Sequence, residues 1–184
     1  MGDPINADCH PAYRAAHTSG RRPVSDIKWV FLHDEESASA LSAASWFANP
    51  KSEGSAHLCV DDLVCYRTLA DEDIAWAMDS AFANRHSFSI EQAGYAKWSL
   101  VIWKSHLKTL QRAAYKTAYH CHKFDIPPVF RTAADLKAGL KGVSTHAEST
   151  KAFGGTHTDP GPLWPRALFM ALVRRYYAQL GPAV

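Results

Sequence analysis

Between Ser99 and Lys123, the apolar residues Leu100, Trp103, Leu107, Leu110, Ala114, Ala118 and Cys121 recur every three or four positions. That spacing lines one face of an α-helix, and so long a stripe needs a broad apolar surface to cover it. Ser99 suits its N-cap, and Pro127-Pro128 require a stop near Lys123. The covering surface is legible elsewhere in the chain. Ile27-Lys28-Trp29-Val30-Phe31-Leu32 reads as a buried strand, and Phe88-Ser89-Ile90-Glu91 as a central one ended by Gly94. The runs 56–60 and 63–67 flank Asp61-Asp62 as a hairpin. Gly142 to His146 makes a late short strand, and 147–161 reads as a loop. Further helices are expected over 39–47, closed by Asn49-Pro50, and from Pro165 to Leu180, with Pro165 in the first turn and a stripe of Leu168, Leu172, Val173 and Tyr176. Strands interspersed with three substantial helices predict one α/β domain, a central mixed β-sheet flanked by helices.

Composition narrows the functional classes. Hydrophobic residues make up 47% of the 184 positions and charged ones 21%, which excludes a disordered or collagen-like chain. A net charge of +2, with no basic run and no aromatic–basic platform, argues against a nucleic-acid partner. No apolar stretch is long enough for a membrane span, so an integral membrane protein is not expected. The first residues lack the basic and apolar regions of a signal peptide. Residues 1–25 read as an irregular arm and 26–181 as the folded domain, with Pro182 closing the last helix. The chain is expected to act as a monomer. Of the four cysteines, Cys59 and Cys65 flank the hairpin turn and are open to two readings, a cross-strand bridge or reduced thiols. No second close pair completes a four-thiolate metal site.

Histidine stands out, with 10 residues. His33 ends the first strand, His146 ends the late strand and Asp159 sits in the loop beyond. Two imidazoles and a carboxylate are a donor set that zinc accepts, leaving a fourth position for water. No compact motif such as His-Glu-x-x-His supports the site, so spacing alone is weak evidence.

Several segments together resemble the zinc-dependent N-acetylmuramoyl-L-alanine amidases. This is the type 2 amidase fold, shared with the peptidoglycan recognition proteins and many bacteriophage endolysins. The segments are Trp29-Val30-Phe31-Leu32-His33, Ser55-Ala56-His57-Leu58-Cys59-Val60, Asp73-Ile74-Ala75-Trp76 and Ser89-Ile90-Glu91, then Phe124-Asp125-Ile126-Pro127, Gly142-Val143-Ser144-Thr145-His146-Ala147-Glu148 and His157-Thr158-Asp159-Pro160-Gly161-Pro162. They run from about residue 27 to 178 in the order that the family uses. The resemblance implies Zn2+ held by His33, His146 and Asp159. It implies hydrolysis of the amide between N-acetylmuramic acid and L-alanine of bacterial peptidoglycan.

It also puts Glu91 at the family's catalytic glutamate, as acid and base; a role in merely orienting a ligand histidine is the alternative. His157 falls where the family often has a lysine, two residues before the carboxylate ligand. There it would donate to the oxyanion, or else be a ligand that Asp159 supports. Ala56 replaces a tyrosine found in some relatives, and Ala77 a histidine, so contacts near both differ. His57 reads as a core histidine. Trp76 reads as a groove wall or as packing, and Asn84 and Arg85 as substrate contacts or an exposed turn.

Three functions follow as expectations. The first is a zinc amidase for phage-driven lysis, made in the host cytoplasm and reaching the wall after the membrane is permeabilised. The others are a cytoplasmic amidase recycling wall fragments and a noncatalytic peptidoglycan-binding module.

Overall fold

The computed structural model describes residues 2–181, and its five strands form one mixed sheet in the order β3-β2-β4-β1-β5. β1 (Trp29–Asp34), β2 (Leu58–Val60), β4 (Ser87–Gln92) and β5 (Gly142–Thr145) run parallel, while β3 (Cys65–Arg67) returns antiparallel to β2. The expected mixed α/β architecture is present, with β4 at its centre. Pro182 lies outside the described residues.

Strand alternation sorts the two faces of the sheet. Val30 and Leu32 of β1, Phe88 and Ile90 of β4 and Val143 of β5 point to one face. There they pack with Trp103, with Leu110 of α4 (Leu107–Lys123) and with Phe169 and Val173 of α7 (Arg166–Gln179). Each fully buried side chain of this kind contributes roughly 1.5–3 kcal/mol. Gly94 is required here, because a Cβ would lie 2.2 Å from the Trp103 ring. Trp29 and Phe31 point the other way, onto Met78, Ala83 of α2 (Ala81–Arg85) and Leu136 of α5 (Ala133–Lys137). By the same alternation His33 and Glu91 belong to this second face.

Three helix expectations are corrected, two of them by side-chain caps. The single helix over 99–123 is two, α3 (Leu100–Ser105) and α4, broken at His106. Asp62, from the β2–β3 turn, accepts from Thr109 N at 2.8 Å, from Thr109 Oγ1 at 3.0 Å and contacts His106 Nδ1 at 3.0 Å. A cap arriving from a distant turn leaves no periodic trace. The stretch 147–161 is not all loop, because α6 spans His146–Phe153, with the Thr145 hydroxyl accepting from Glu148 N as N-cap. His146 therefore starts a helix as well as following a strand. Pro165 is the N-cap of α7 rather than its first helical residue. The expected α1 is found at Ala40–Phe47.

The cysteine expectation is also corrected. Cys65 is bonded to Cys9, while Cys59 is a buried free thiol. In the β2–β3 register Cys59 faces Tyr66 and Val60 faces Cys65, so Cys59 and Cys65 project to opposite faces of the hairpin. The arm is irregular, as expected, yet docked. His10 N donates to Cys65 O at 2.8 Å and Arg67 N to His10 O at 2.9 Å, covering the exposed edge of β3. The buried Arg112 guanidinium donates to Pro4 O at 2.8 Å and Asp3 O at 2.9 Å, and Lys116 Nζ to Ala7 O at 2.6 Å.

Candidate metal centre

Register assembles the centre. His33 and Glu91 are partners across the β1–β4 pair. On the other side of β1, Thr145 of β5 is level with Leu32, so the next residue, His146, comes level with His33. The loop after α6 returns over both, where Ala147 N donates to Asp159 O at 3.0 Å. Three residues far apart in sequence thus share one end of the sheet.

His33 Nδ1 lies 3.1 Å from Asp159 Oδ2, and His146 Nδ1 lies 3.1 Å from Asp159 Oδ1. The two imidazole centroids are 4.9 Å apart. One donor atom from each of the three residues lies within 4.8 Å of the others. Ligands 2.0–2.2 Å from a tetrahedral zinc would be roughly 3.3–3.5 Å apart, so the donors are spaced to share one ion with small adjustments. The remaining ring nitrogen of each histidine, Nε2, is buried without a partner among the described residues. Both buried rings therefore commit Nδ1 to one carboxylate, and the donor set fits a borderline divalent metal. Burial works to raise the Asp159 pKa, but the imidazoles of His146 and His33 outweigh it and hold the carboxyl far below its ordinary range. His33 is pushed down by burial, so its neutral, ligand-competent form is favoured.

Glu91 is buried beside this trio. Its Oε1 is 4.0 Å from His33 Nδ1, and its Oε2 is buried without a partner among the described residues. Burial first, then the carboxylates of Asp159, Glu35 and Asp34, push its pKa well above the usual value. His157 is half-exposed and stacks on His146, with centroids 4.3 Å apart and planes 7° apart. Its Nδ1 is 3.6 Å from Asp159 Oδ1, and its Nε2 is 3.9 Å from Asp79 Oδ1. Asp79, His146 and His157 form a second, more exposed trio of potential donors. All five residues named from the sequence thus meet in one groove of about 850 Å3.

Sequence reasoning missed the acids that surround it. Asp34, Glu35, Glu36 and Asp79 also line the groove. Burial pushes the Asp34 pKa up to about 7, and burial first, then the carboxylates of Asp61 and Asp34, push that of Glu35 well above its usual value. The run His33-Asp34-Glu35-Glu36 was the available signal, because acids directly after a buried strand must lie at its end. Other candidates fall outside the centre. His57 is fully buried in the core, its Nε2 3.0 Å from Asp73 O and its Nδ1 accepting from Ser89 N at 3.1 Å. Ala56 is buried and brings no side-chain polar group. Asn84 is buried rather than part of an exposed turn, lines the groove and holds the 77–78 backbone, accepting from Met78 N at 2.7 Å and donating to Met78 O at 2.9 Å. Arg85 is paired with Asp26 at 2.9 Å, away from the groove.

With that geometry in view, the likeness to known proteins is specific. The family described as N-acetylmuramoyl-L-alanine amidase matches residues 23–162. Among solved structures, the Staphylococcus aureus hydrolase AmiA in complex with its ligand superposes with a TM-score of 0.74 at 17% identity, over 97% of this chain and 87% of that one. A mutant endolysin from Bacillus subtilis gives 0.61 at 18% identity, over 91% and 99%. A selenomethionine AmpD derivative gives 0.63 at 16%, over 94% and 99%. No curated protein matches the chain. At these identities the structural likeness is one of fold.

Proposed function

The chain belongs to the N-acetylmuramoyl-L-alanine amidase family, and from that premise we propose a zinc-dependent peptidoglycan hydrolase with His33, His146 and Asp159 as the metal ligands. The bond cut is the amide between N-acetylmuramic acid and the L-alanine of the stem peptide. The observation that carries this reading is the convergence of two buried Nδ1 atoms on one carboxylate, each at 3.1 Å, beside an open groove.

Zinc bound there would supply Lewis acidity toward the scissile carbonyl and lower the pKa of a water. The chain's own residues do the rest. Asp159, kept ionised by the two histidines, balances the ion's charge and fixes both rings. Glu91 lines the same groove and offers a buried oxygen without a partner among the described residues, which takes the proton from the attacking water and delivers one to the leaving amine. A raised pKa suits the second half of that task, because the protonated acid persists long enough to donate. His157 stacks on His146, close enough to donate a hydrogen bond to the carbonyl oxygen as it becomes negative. The trio Asp79–His146–His157 supports the other role for His157, a ligand that Asp159 assists. His157→Ala distinguishes the two: retained zinc with slower turnover marks a donor, and lost zinc marks a ligand.

For the biological setting we propose phage-driven lysis, with synthesis in the host cytoplasm and action on the wall after the membrane is breached. The open groove, with Trp76 on its lining, supports work on a polymer rather than on small recycled fragments. A complete donor set with Glu91 beside it speaks against a noncatalytic binding module. Product analysis on purified walls tests the reaction. The expected result is new L-alanine amino termini with intact glycan strands; new reducing sugar ends would identify a glycan hydrolase instead. Turbidity loss on whole walls, compared with turnover of soluble muropeptides, separates lysis from recycling.

A further inference from the structure

The arm reaches the groove. Ser19 and Trp76 both line it, and Trp76 Nε1 donates to Ser19 Oγ at 2.7 Å. His17 does not line the groove, yet its ring stacks on the indole, with centroids 4.7 Å apart and planes 15° apart. His17 is fixed in turn by Nε2 lying 2.8 Å from Pro50 O. Backbone bonds stitch the same stretch down: Ala15 N to Thr68 O at 2.9 Å, Ala16 N to Phe47 O at 2.8 Å and Ser19 N to Ile74 O at 2.9 Å. Trp76 as a whole is nevertheless 41% exposed. One side is backed by an imidazole, the ring nitrogen is tied to a hydroxyl, and the rest is presented to the groove. Exposure by itself is ordinary, since Trp46 is 51% exposed; what sets Trp76 apart is that its ring is stacked on His17, bonded to Ser19 and placed on the groove.

We propose that His17 and Ser19 are positioning residues that hold Trp76 as a stacking platform for a pyranose ring of the substrate's glycan strand. This rests on the peptidoglycan reading above. The chemistry of the rim selects the sugar over the peptide. Glu36, Glu53 and Asp79 line the groove, no lysine or arginine among the described residues does, and a stem-peptide carboxylate would meet like charge there. A neutral pyranose offers an apolar C–H face to the indole and hydroxyl donors to those carboxylates. The family match begins at residue 23, so His17 and Ser19 lie outside it and would give this chain its own grip on glycan.

The test uses the whole chain and two substrates, a muramoyl peptide with one sugar and a peptidoglycan strand of at least four sugars. His17→Ala and Ser19→Ala are expected to raise KM for the strand about threefold or more, with kcat moving less than twofold, and Trp76→Ala to raise it about tenfold. The ratio of strand KM to monosaccharide KM must rise in each. His17→Phe, which keeps the stack, and Ser19→Thr, which keeps the hydroxyl, should restore it. Calorimetry with a peptide-free N-acetylglucosamine tetrasaccharide gives a reading independent of cleavage, with weaker binding expected in all three alanine variants. Unchanged tetrasaccharide binding in His17→Ala and Ser19→Ala, or a KM rise equal for both substrates, overturns the platform. Wild-type protein that cleaves neither substrate sinks the amidase reading instead, and tetrasaccharide binding then decides the platform by itself.

Discussion

The two faces of the central sheet are built from the same strands and solve opposite problems. In β4, Phe88 and Ile90 enter the apolar core under α4 and α7, while Ser87, Ser89 and Glu91 alternate onto the other face. The core face is closed by Trp103, Leu110 and Phe169, all fully buried. The opposite face begins the same way, with Trp29 and Phe31, but at the C-terminal strand ends it turns to His33, Glu91 and, just past β5, His146. There, buried polar atoms of His33, His146 and Glu91 lack partners among the described residues. An unsatisfied buried polar atom costs roughly 1–3 kcal/mol, so the core face offsets the cost of a site kept ready for an ion and a substrate. Stability and chemistry are divided by strand parity.

Substitutions that separate the faces sharpen this contrast. Replacing His33, His146 or Asp159 with alanine should remove tight metal binding and lower turnover on the order of a thousandfold or more. Thermal stability of the metal-free protein should change little, as metal analysis and calorimetry would show. On the other face, Trp103→Ala should cost about 3–5 kcal/mol of stability in denaturant titrations while leaving kcat of the folded fraction intact. A fall in kcat equal to that of the ligand variants would erase the division. Glu91→Gln should retain zinc and lose roughly a hundredfold in turnover; unchanged turnover would leave Glu91 only a role in orienting His33.

Acid probes the core face, where His57 and His120 both stack on Phe88. His57 and His120 are buried, and their pKa values are lowered to about 3, chiefly by burial. His57 already accepts from Ser89 N through Nδ1, so a second proton there would meet a donor. Because the folded pKa lies below the unfolded one, their contribution is fully present above about pH 6.5 and is lost as pH falls toward 3. Each histidine should remove roughly 2–3 kcal/mol between pH 6.5 and 4.5. His57→Gln should flatten that part of the stability profile, and an unaltered slope would show that His57 is not its source.

Much of the core face was legible in the sequence, because it is written in local periodicity. The strands at 27–32 and 88–91 and the stripe positions Trp103, Leu110, Ala114, Ala118 and Cys121 needed nothing from elsewhere in the chain, whereas Leu100 and Leu107, counted in the same stripe, are exposed. The break at His106 was illegible because Asp62 imposes it from a turn distant in sequence. The bridge from Cys65 to Cys9 rather than to Cys59 follows from strand register, which a cysteine count does not contain. The site was legible only in pieces. His33, His146 and Asp159 are ordinary residues at wide spacing, and it took a family resemblance to join them. The acids at 34–36 were legible in principle, as a charged run directly after a buried strand, whereas the arm's hold on Trp76 depends on how the loops close over the sheet, and no local pattern announces it.

The central claim is that His33, His146 and Asp159 hold one zinc ion on which amide hydrolysis depends. Its most direct test strips the wild-type protein with a chelator, confirms metal removal by mass spectrometry, and follows release of L-alanine amino termini from purified walls during zinc titration. The account predicts negligible release from the stripped protein and full recovery at one equivalent of zinc. Undiminished release from protein shown to be metal-free would contradict it.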